Sequence, residues 1–485
     1  MTNFDDVPQH GDSADAQAPE KTKSRPGFKQ LNSAAAVSSV LNFALWDAAT
    51  VSEKTYEAFL NCNSANADAC ALPAVRQRLR NFARKEVANN SYAKGLTLIV
   101  SGDMIGTGPK LQIAEDGLFD ASMVEDAFHS WAEEVRLAEK LKSARVAKMV
   151  DGETFGFFYR DPSLASSSKL NLRFVESECV SNPYAIGDLA EDVDGVFIDE
   201  NGDPTKYRVL TEHPGGLYTK RMYEYVDVPA ENTIHWYRVD RPGQHRGVSE
   251  FAPVLPLFYM LRNYTLSVVR AAEAAASIPF VLYTDNPAVT PYVPHDEDYF
   301  TGAKLRPGMM TILPDAWRLG QVNPSQPTTT YPEFKREVLA EIARCFCVPV
   351  NVLSGDSSNH NYASGRLDFQ TYHKMLDVER KHCESNVLSK IFEHWFEQTY
   401  FRGKSPKYWG FKRIPKATWL WDGFPHVDPA KEAASISRQL ASGTLTYAEV
   451  LAKKGVDWKP HFDQLKRERD YLKKIGVDLL GKTNK

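Results

Sequence analysis

The 485-residue sequence lacks the features that mark membrane-spanning and secreted proteins. It contains no uncharged apolar stretch of about 18 residues, so no membrane span is expected. Residues 1–30 are polar, show no signal peptide, and are predicted to be a disordered N-terminal arm. The six cysteines form no Cys-x-x-Cys pair, which favours reduced thiols in a cytoplasmic product.

The sequence also has little net charge, because 58 basic residues oppose 62 acidic ones and leave a net charge of −4. Proteins that hold nucleic acid tightly through its phosphates usually carry a basic excess. A role in coating nucleic acid is therefore not expected. A protein that lets DNA pass without holding it would need no such excess.

Nucleotide-binding motifs are missing as well. Gly106-Thr107-Gly108 has no third glycine of a dinucleotide fingerprint, and the Gly-Lys-Ser/Thr of a P-loop does not follow it. The run instead predicts a tight turn between a helix and a strand.

No residue set indicates catalysis or a metal site. Ser357, Asp356 and His360 are sequence neighbours, whereas catalytic triads are assembled from distant segments, and Ser354 lacks the Gly-x-Ser-x-Gly elbow. The thiols and imidazoles of one region do not have the spacing of a structural zinc site; they are Cys345, Cys347, His373, His382 and Cys383. We therefore expect no catalytic residue, no cofactor and no metal ion.

The most prominent stretch is a predicted helix from Ser249 to Ser277, which would be about 43 Å long. Pro253 suits its first turn, and Pro256 kinks the helix or delays its regular start. It is apolar nearly all round, with polar interruptions at Arg262, Asn263, Arg270 and Glu273. Such a helix is usually buried in a large core or between subunits.

Before this helix, Leu72–Thr97 is predicted as one helix with a basic face of Arg76, Arg78, Arg80, Arg84, Lys85 and Lys94. That face is either solvated or contacts DNA or an acidic partner. Asp120–Val150 is a further predicted helix. Residues 150–240 form a β-rich module with a hairpin turning at Asn201-Gly202.

After the long helix, Ile278–Tyr331 reads as a small β and loop insert with a strand at Met309–Leu313. A helix at Pro332–Cys347 follows, then a polar loop at Val350–Ala363 and a long helix at Ser364–Phe401. The C-terminal part is predicted to contain three helices: the first is stopped by Gly443, the second opens with a capping box at Thr446–Glu449, and the last spans His461–Ile475. The fold class is therefore α+β.

In this order, the motifs resemble the portal proteins of lambda-like bacteriophages. The resemblance covers about residues 70–475 and is carried by these stretches: Leu79-Arg80 to Tyr92; Ile105–Gly108; Asp151–Phe155; Ile234-His235; Arg241–Gln244; Arg246–Ser249; the alanine-rich end of the long helix; Ile342-Ala343; Val348-Pro349; Asn361–Ser364 with Arg366; Val427–Pro429; and Lys431–Ala433.

The resemblance implies a portal fold with named parts. These are the wing (31–248), the first stem helix (249–277), the clip (278–331), the second stem helix (332–347), the tunnel loop (348–363), a long helix with a return to the wing (364–427), and a helical crown with a tail (428–485). Such a protein forms a ring, usually of twelve copies, at one capsid vertex. Double-stranded DNA is packaged through it and ejected through it into the tail.

Partners and site residues follow from the same resemblance. The partners would be other copies of the chain, the terminase large subunit, major capsid and scaffold proteins, a head–tail adaptor, and DNA passing without sequence specificity. The protein would act in the virion and assemble in the host cytoplasm. The DNA-facing tunnel loop would present Ser354, Asp356, Ser357, Ser358, Asn359, His360 and Asn361. The stem and subunit interface would use Arg241, Gln244, Arg246, Phe251, Leu255, Phe258, Leu261, Tyr264, Val268, Phe334, Val338 and Ile342.

Two alternatives stay open. An enzyme such as a nuclease or NTPase would need a metal-binding carboxylate set or a P-loop, and neither is found in the sequence. Another ring-forming virion connector that is not the portal would share the apolar helices, although adaptors are usually much shorter.

Overall fold

The computed structural model of the protein describes residues 64–113, 121–182, 192–217, 224–277, 280–284, 317–321, 330–358, 362–401, 414–424 and 429–475. The elements below belong to one compact unit that begins at Asn66. Helices and strands alternate along it, so the predicted mixed α and β class is confirmed. Among the described helices, none has the length and apolar character that a bilayer crossing requires.

The helices are α1 (Ala67–Cys70), α2 (Pro73–Asn89), α3 (Ser91–Ile105), α4 (Ala121–Glu134), α5 (Leu137–Asp151), α6 (Leu255–Ser277), α7 (Tyr331–Cys345), α8 (Val350–Ser354), α9 (Tyr362–Cys383), α10 (Ser389–Phe396), α11 (Pro429–Ala441), α12 (Tyr447–Lys453) and α13 (Trp458–Lys474). The strands are β1 (Lys110–Ile113), β2 (Glu153–Arg160), β3 (Leu170–Val175), β4 (Asp192–Val193), β5 (Val196–Ile198), β6 (Pro204–Leu210), β7 (Tyr225–Pro229), β8 (Thr233–Tyr237), β9 (Phe280–Thr284), β10 (Trp317–Gln321) and β11 (Ala417–Leu420).

The helix predicted over Leu72–Thr97 is in fact two helices, α2 and α3, that meet at Asn90. The backbone of Asn90 is extended, with φ −119° and ψ 118°. Its side-chain oxygen accepts a hydrogen bond from the Tyr92 amide at 3.0 Å, so Asn90 is the N-cap of α3. The apolar periodicity continues across the break, which is why the pattern alone did not reveal it.

Two predicted turns are confirmed. Gly106 has φ +57° and ends α3 just before β1, as the Gly106-Thr107-Gly108 run predicts. The hairpin of β5 and β6 turns through Gly202, whose φ is +87°. The Asp199 carboxylate accepts the amides of Asn201 and Asp203 at 2.9 and 2.8 Å, so this acidic residue holds the turn.

The main core is a cluster of aromatic side chains from segments far apart in sequence. Phe128 of α4 lies 5.1 Å from Trp395 and 5.6 Å from Trp419, measured between ring centroids. Strand β11 pairs antiparallel with β1, with Lys110 opposite Leu420. The chain after α10 therefore returns to the N-terminal helices.

The remaining strands form small antiparallel sheets. Three strands lie in the order β3-β2-β8, four in the order β4-β5-β6-β7, and β9 pairs with β10. The predicted β-rich module is thus two sheets. The predicted strand at residues 309–313 lies outside the described residues.

The long helix α6 begins at Leu255, six residues later than predicted. A single 3₁₀ turn, Ala252–Val254, precedes it. Pro253 and Pro256 supply no amide hydrogen, and the Glu250 amide donates to Met149 of α5 at 3.0 Å. The segment from Ser249 is therefore fixed against the neighbouring helix, and α6 is roughly 35 Å long.

The segment after α7 also departs from prediction at one point. The polar loop predicted from Val350 opens with a helical turn, α8, which ends at Gly355 with φ +70°. From Tyr362 the chain is helical to Phe401, because two π-helical stretches, Glu384–Leu388 and Glu397–Phe401, continue α9 and α10. The prediction of one long helical segment there is confirmed.

The C-terminal helices follow their sequence signals closely. The Thr446 hydroxyl accepts from the Glu449 amide at 3.2 Å, and the Glu449 carboxylate accepts from the Thr446 amide at 2.8 Å. This is the predicted capping box. Helix α13 begins at Trp458, three residues before the prediction, because Asp457 caps it.

Candidate functional site at the base of the long helix

The turn before α6 places a buried arginine beside strands β2 and β8. Arg246 is 1% exposed, and its Nη2 lies 2.6 Å from a Glu153 carboxylate oxygen at the start of β2. Glu153 also accepts the Gly247 amide at 2.8 Å and the His235 Nε2 hydrogen at 3.1 Å. Ser177 donates to the same carboxylate. One carboxylate therefore joins two strands to the turn that leads into the long helix.

The protonation states in this cluster follow from burial and neighbouring charge. Burial by itself raises the pKa of Glu153, but the Arg246 charge and the His235 hydrogen bond lower it well below its usual value. Burial lowers the pKa of His235 despite its bond to Glu153. Because the Tyr207 hydroxyl lies 3.4 Å from Nδ1, a neutral imidazole with hydrogen on Nε2 satisfies both contacts.

Three arginines of α2 are part of the same ion-pair network. Arg76 pairs with Asp194, Arg80 with Glu178 at 3.2 Å, and Arg84 with Asp151 at 2.7 Å. Burial and then the nearby Arg246 charge lower the pKa of Arg76 to about 10. The two predictions for this basic face, exposure to solvent and contact with DNA or an acidic partner, are therefore wrong for these three arginines. They neither face solvent nor meet an external partner, because acids of the same chain hold them.

The apolar face of α2 is consequently turned outward. Leu72, Val75 and Phe82 are 53%, 43% and 51% exposed, although they recur at helical spacing with the half-buried Leu79. Helix α2 thus reverses the usual arrangement of a surface helix.

A second ion-pair cluster fixes the chain immediately before α6. Glu250 is 7% exposed and accepts two hydrogen bonds from Arg145, both at 3.1 Å. Lys148, which is fully buried, lies 3.4 Å from Glu250 and also pairs with Glu379 of α9. Burial by itself raises the pKa of Glu250, but the charges of Arg145 and Lys148 lower it to about 2. This cluster connects α5, the start of the long helix and α9.

The predicted interface residues Arg241 and Gln244 lie in the turn before α6. The Gln244 side-chain oxygen accepts the amides of Asp240 and Arg241 at 2.9 and 3.2 Å. Its amide group donates to the Arg246 carbonyl at 2.8 Å. His245 contacts Asp68 through Nδ1 and the Gly202 carbonyl through Nε2, at 2.7 and 2.9 Å. The turn is therefore held by its own side chains and by two other segments.

Most of the predicted interface residues are buried within the chain itself. These are Gln244, Arg246, Phe251, Leu255, Phe258, Leu261 and Ile342. A side chain enclosed by its own chain has no surface left for a neighbouring subunit, so the assignment of these residues to direct subunit contact is corrected. Tyr264 packs against Phe334 at 4.9 Å between centroids and so joins α6 to α7. Val268 and Val338 are half-buried, and Phe334 stays 49% exposed.

Helix α6 also carries apolar residues that its own chain leaves exposed. Tyr259, Met260, Leu266 and Val269 are 56%, 62%, 47% and 49% exposed. Arg262, one turn before Leu266, pairs with Glu86 of α2 at 3.0 Å. The helix is therefore anchored to its own chain while these four apolar side chains remain exposed.

The predicted tunnel-loop residues are only partly described. Ser354 ends α8, and the Asp356 carboxylate accepts the Ser358 amide at 2.9 Å. Asn351 donates to Ser357 at 3.4 Å. Asn359, His360 and Asn361 lie outside the described residues.

Burial and ion pairing govern the thiols and acids described in this paragraph. Burial raises the pKa of Cys179 to about 11 and raises that of Cys383 as well. Within the described ranges, one group of three carboxylate or imidazole side chains lies close enough to share a metal ion, namely Glu176, Glu178 and His213. Arg84 pairs with both glutamates, which argues for a structural ion network.

The acids that complete these networks were missed as site residues by sequence reasoning. Glu153 and Glu250 carried a weak signal, because each interrupts an otherwise apolar or extended segment next to the Arg241–Ser249 turn. Asp194, Glu178 and Glu379 carried none, since their partners lie about 90 to 230 residues away.

These elements define a structural scaffold in which buried ion pairs anchor a long helix with exposed apolar side chains. The family model described as phage portal protein, lambda family, matches residues 58–380. Since that span is more than half of the sequence, the chain belongs to the lambda family of phage portal proteins.

The chain is also similar to named phage proteins and to a chain of a solved particle. The probable portal protein of Halomonas phage phiHAP-1 is 22% identical over 83% of this chain and 82% of its own. The portal protein of Escherichia phage N15 is 24% identical over 86% and 88%, and portal protein B of Escherichia phage lambda is 23% identical over 84% and 86%. A chain in the neck of an empty GTA particle has a TM-score of 0.47 at 14% identity, with coverage of 77% of this chain and 92% of that one.

Proposed function

We propose that this chain forms a closed ring at one vertex of a phage capsid, and that double-stranded DNA is packaged and later ejected through its channel. The ring would be a structural component of the virion. Twelve copies are expected, by analogy with the family.

The exposure of apolar side chains on α6 is the observation that best supports this proposal. Tyr259, Met260, Leu266 and Val269 are exposed apolar side chains of a helix that is held to its own chain by the buried Phe258 and Leu261. In a ring, each subunit offers two different surfaces to its neighbours, and repeated burial of such side chains makes an obligate interface. We assign these residues, together with Arg241, Tyr264, Val268, Phe334 and Val338, to the stem and its subunit interface.

The charge of the chain suits a channel that DNA must cross in both directions. A net charge of −4 avoids the tight phosphate binding that a basic lining would produce. The segment after α8 is polar and carries no basic residue from Gly355 to Ser358. We propose that it faces the ring axis as the tunnel loop, together with residues 359–361.

Partners follow from the same function. The clip (278–331) would dock the terminase large subunit during packaging and a head–tail adaptor afterwards. The wing would contact the major capsid and scaffold proteins. Assembly would take place in the host cytoplasm.

Ring formation is tested by substitution of an exposed apolar residue of α6. Wild-type protein should give a species of about 650 kDa in mass photometry, since twelve copies of a 54.5-kDa chain assemble. Leu266→Asp places a charge in the proposed interface and should leave smaller species with unchanged far-UV circular dichroism.

Leu217→Asp is the matched control, because Leu217 is 95% exposed and belongs to the loop after β6. It should assemble like the wild type. Full rings from Leu266→Asp, or only monomers from the wild type at every salt concentration tried, would contradict the proposal.

The tunnel-loop assignment has a separate test. Deletion of residues 355–361 should leave ring formation intact but reduce the packaging or retention of DNA in phage heads. Normal, full heads from this deletion would remove the assignment without affecting the ring.

A further inference from the structure

Strand β3 lies at one edge of its sheet, and part of its backbone points away from β2. The sheet order is β3-β2-β8, so β3 has a strand neighbour on one side within the described sheet. On the other side, backbone groups of β3 bond to side chains. The Leu170 amide donates to Ser168 at 3.4 Å, and the Leu170 carbonyl accepts from Trp131 at 2.7 Å. The Leu172 amide donates to the Asn171 side chain at 2.9 Å. In an antiparallel pair, alternate residues point both backbone groups to the same side. Phe174 therefore also directs its amide and carbonyl outward.

A groove runs beside this second half of β3. One side of α5 forms its opposite wall, because Lys140, Ser143, Ala147 and Val150 recur at spacings of three and four residues. Two adjoining hollows of about 420 and 230 Å³ share Ser143 and Phe174. A groove between a strand edge and a helix is a shape that accepts an extended peptide as an added strand.

The floor of the groove is apolar and made largely of small side chains. Val87 and Ala88 of α2, Val146 and Ala147 of α5, and Phe174 of β3 line it. All of these except the exposed Ala88 are half-buried, so their remaining surface is accessible from the groove. Small side chains leave room for the apolar side chains of an incoming strand.

The rim of the groove is basic. Lys94, Lys140 and Arg173 line it, and Lys94 and Arg173 are exposed without an ion pair in the described part of the chain. Its two acids, Asp151 and Glu176, both lie within ion-pair distance of Arg84. With Arg84, four basic side chains line the groove against these two acids, so its net charge is positive and complements an acidic occupant.

We propose that this groove docks an extended segment of a partner protein in which carboxylates alternate with apolar side chains. The segment would add to β3 beside Leu172–Glu176 and bond to the outward amide and carbonyl of Phe174. Its apolar side chains would enter the hollows, and its carboxylates would reach the basic rim, because successive side chains of a strand point to opposite sides. The docking does not require the ring to be closed.

Fluorescence anisotropy with two labelled hexapeptides tests the proposal on the full-length protein. One has the sequence Val-Glu-Val-Glu-Val-Glu, and the other replaces each glutamate by lysine. The acidic peptide should bind and the basic one should not. Arg173→Glu and Lys94→Glu should each weaken binding by about tenfold or more, and added salt should weaken it too.

Two further variants separate a docked strand from general charge attraction. Phe174→Pro removes one outward amide hydrogen at an edge strand, where proline is tolerated, and should abolish binding. Lys142→Glu makes the same charge change on an exposed position of α5 outside the groove and should bind like the wild type. Equal binding of both peptides, or equal loss in Lys142→Glu and Arg173→Glu, would overturn the proposal.

Discussion

The base of the long helix and the C-terminal helices are stabilised in opposite ways. At the base, Glu153, Arg246 and Glu250 are charged groups enclosed by protein. In the C-terminal part, neither α11 nor α13 has a buried residue, while Trp458 and Tyr471 are 38% and 62% exposed. One region places its charges inside, and the other leaves its aromatic side chains outside.

This contrast separates a region that is stabilised within one chain from a region whose apolar side chains are covered only on assembly. A buried charge requires its partner at a fixed distance, so the ion-paired base has a defined geometry within a single subunit. An aromatic side chain at the surface gains little until another surface covers it. We infer that the base is formed before assembly and that assembly completes the burial of the C-terminal helices.

The largest expected effect is the loss of the buried arginine. Arg246→Met should lower the free energy of unfolding by roughly 3 to 5 kcal/mol, because Glu153 would remain buried without its partner. Urea denaturation followed by tryptophan fluorescence measures the change. Arg78→Met, on the exposed side of α2, is the matched control and should shift the midpoint little. Equal midpoints for the two variants would show that the ion pair does not hold the base.

A second prediction concerns pH. The folded pKa of Glu250 is about 2, against an ordinary value of 4.5. A carboxylate with a lowered pKa stabilises the fold fully above about pH 4.5 and loses that contribution as the pH falls towards 2. Glu250→Gln should therefore be less stable at pH 7 and should lose less further stability between pH 4.5 and 2.5. Parallel pH profiles of the two proteins, measured by thermal melting, would contradict this.

Removal of the C-terminal helices should have a smaller effect on the wing. A chain ending at residue 428 should retain a melting temperature closer to the wild type than Arg246→Met does, because most of the lost side chains are exposed. Differential scanning fluorimetry tests this. If the truncation melted lower than Arg246→Met, the crown would be part of the main folding unit.

The smallest effect is expected from a single aromatic contact in the crown. Phe462 lies 5.5 Å from Tyr447 in an edge-to-face arrangement and is 36% exposed. Phe462→Ala should cost about 1 kcal/mol or less. Faster amide exchange should be confined to α12 and α13, and exchange spreading to α5 or α6 would count against independent crown stability.

Signals within a few residues predicted local structure well. Asn201-Gly202 marked the hairpin, Thr446 with Glu449 marked a capping box, and the glycines at 106 and 108 marked a turn. Each signal acts between near neighbours, so it is complete in the sequence itself.

The errors about which side chains are buried, and against what, have a long-range cause. The arginines of α2 looked like a surface face, yet Arg76 and Arg80 meet acids 118 and 98 residues away. Phe251 and Phe258 looked like subunit contacts, yet they pack inside the chain. A repeat of apolar residues predicts which side of a helix will be buried, but it does not identify the surface that covers that side.

The sequence by itself determined the order of the elements, their turns and caps, and the family to which the chain belongs. Tertiary structure alone decided which charges are enclosed and which apolar surfaces remain open. The reason is that enclosing a charge costs free energy unless a partner lies within ion-pair distance, and only the folded chain supplies that distance. The exposed apolar side chains of α6 and the groove beside β3 are the surfaces that this folding leaves for other molecules.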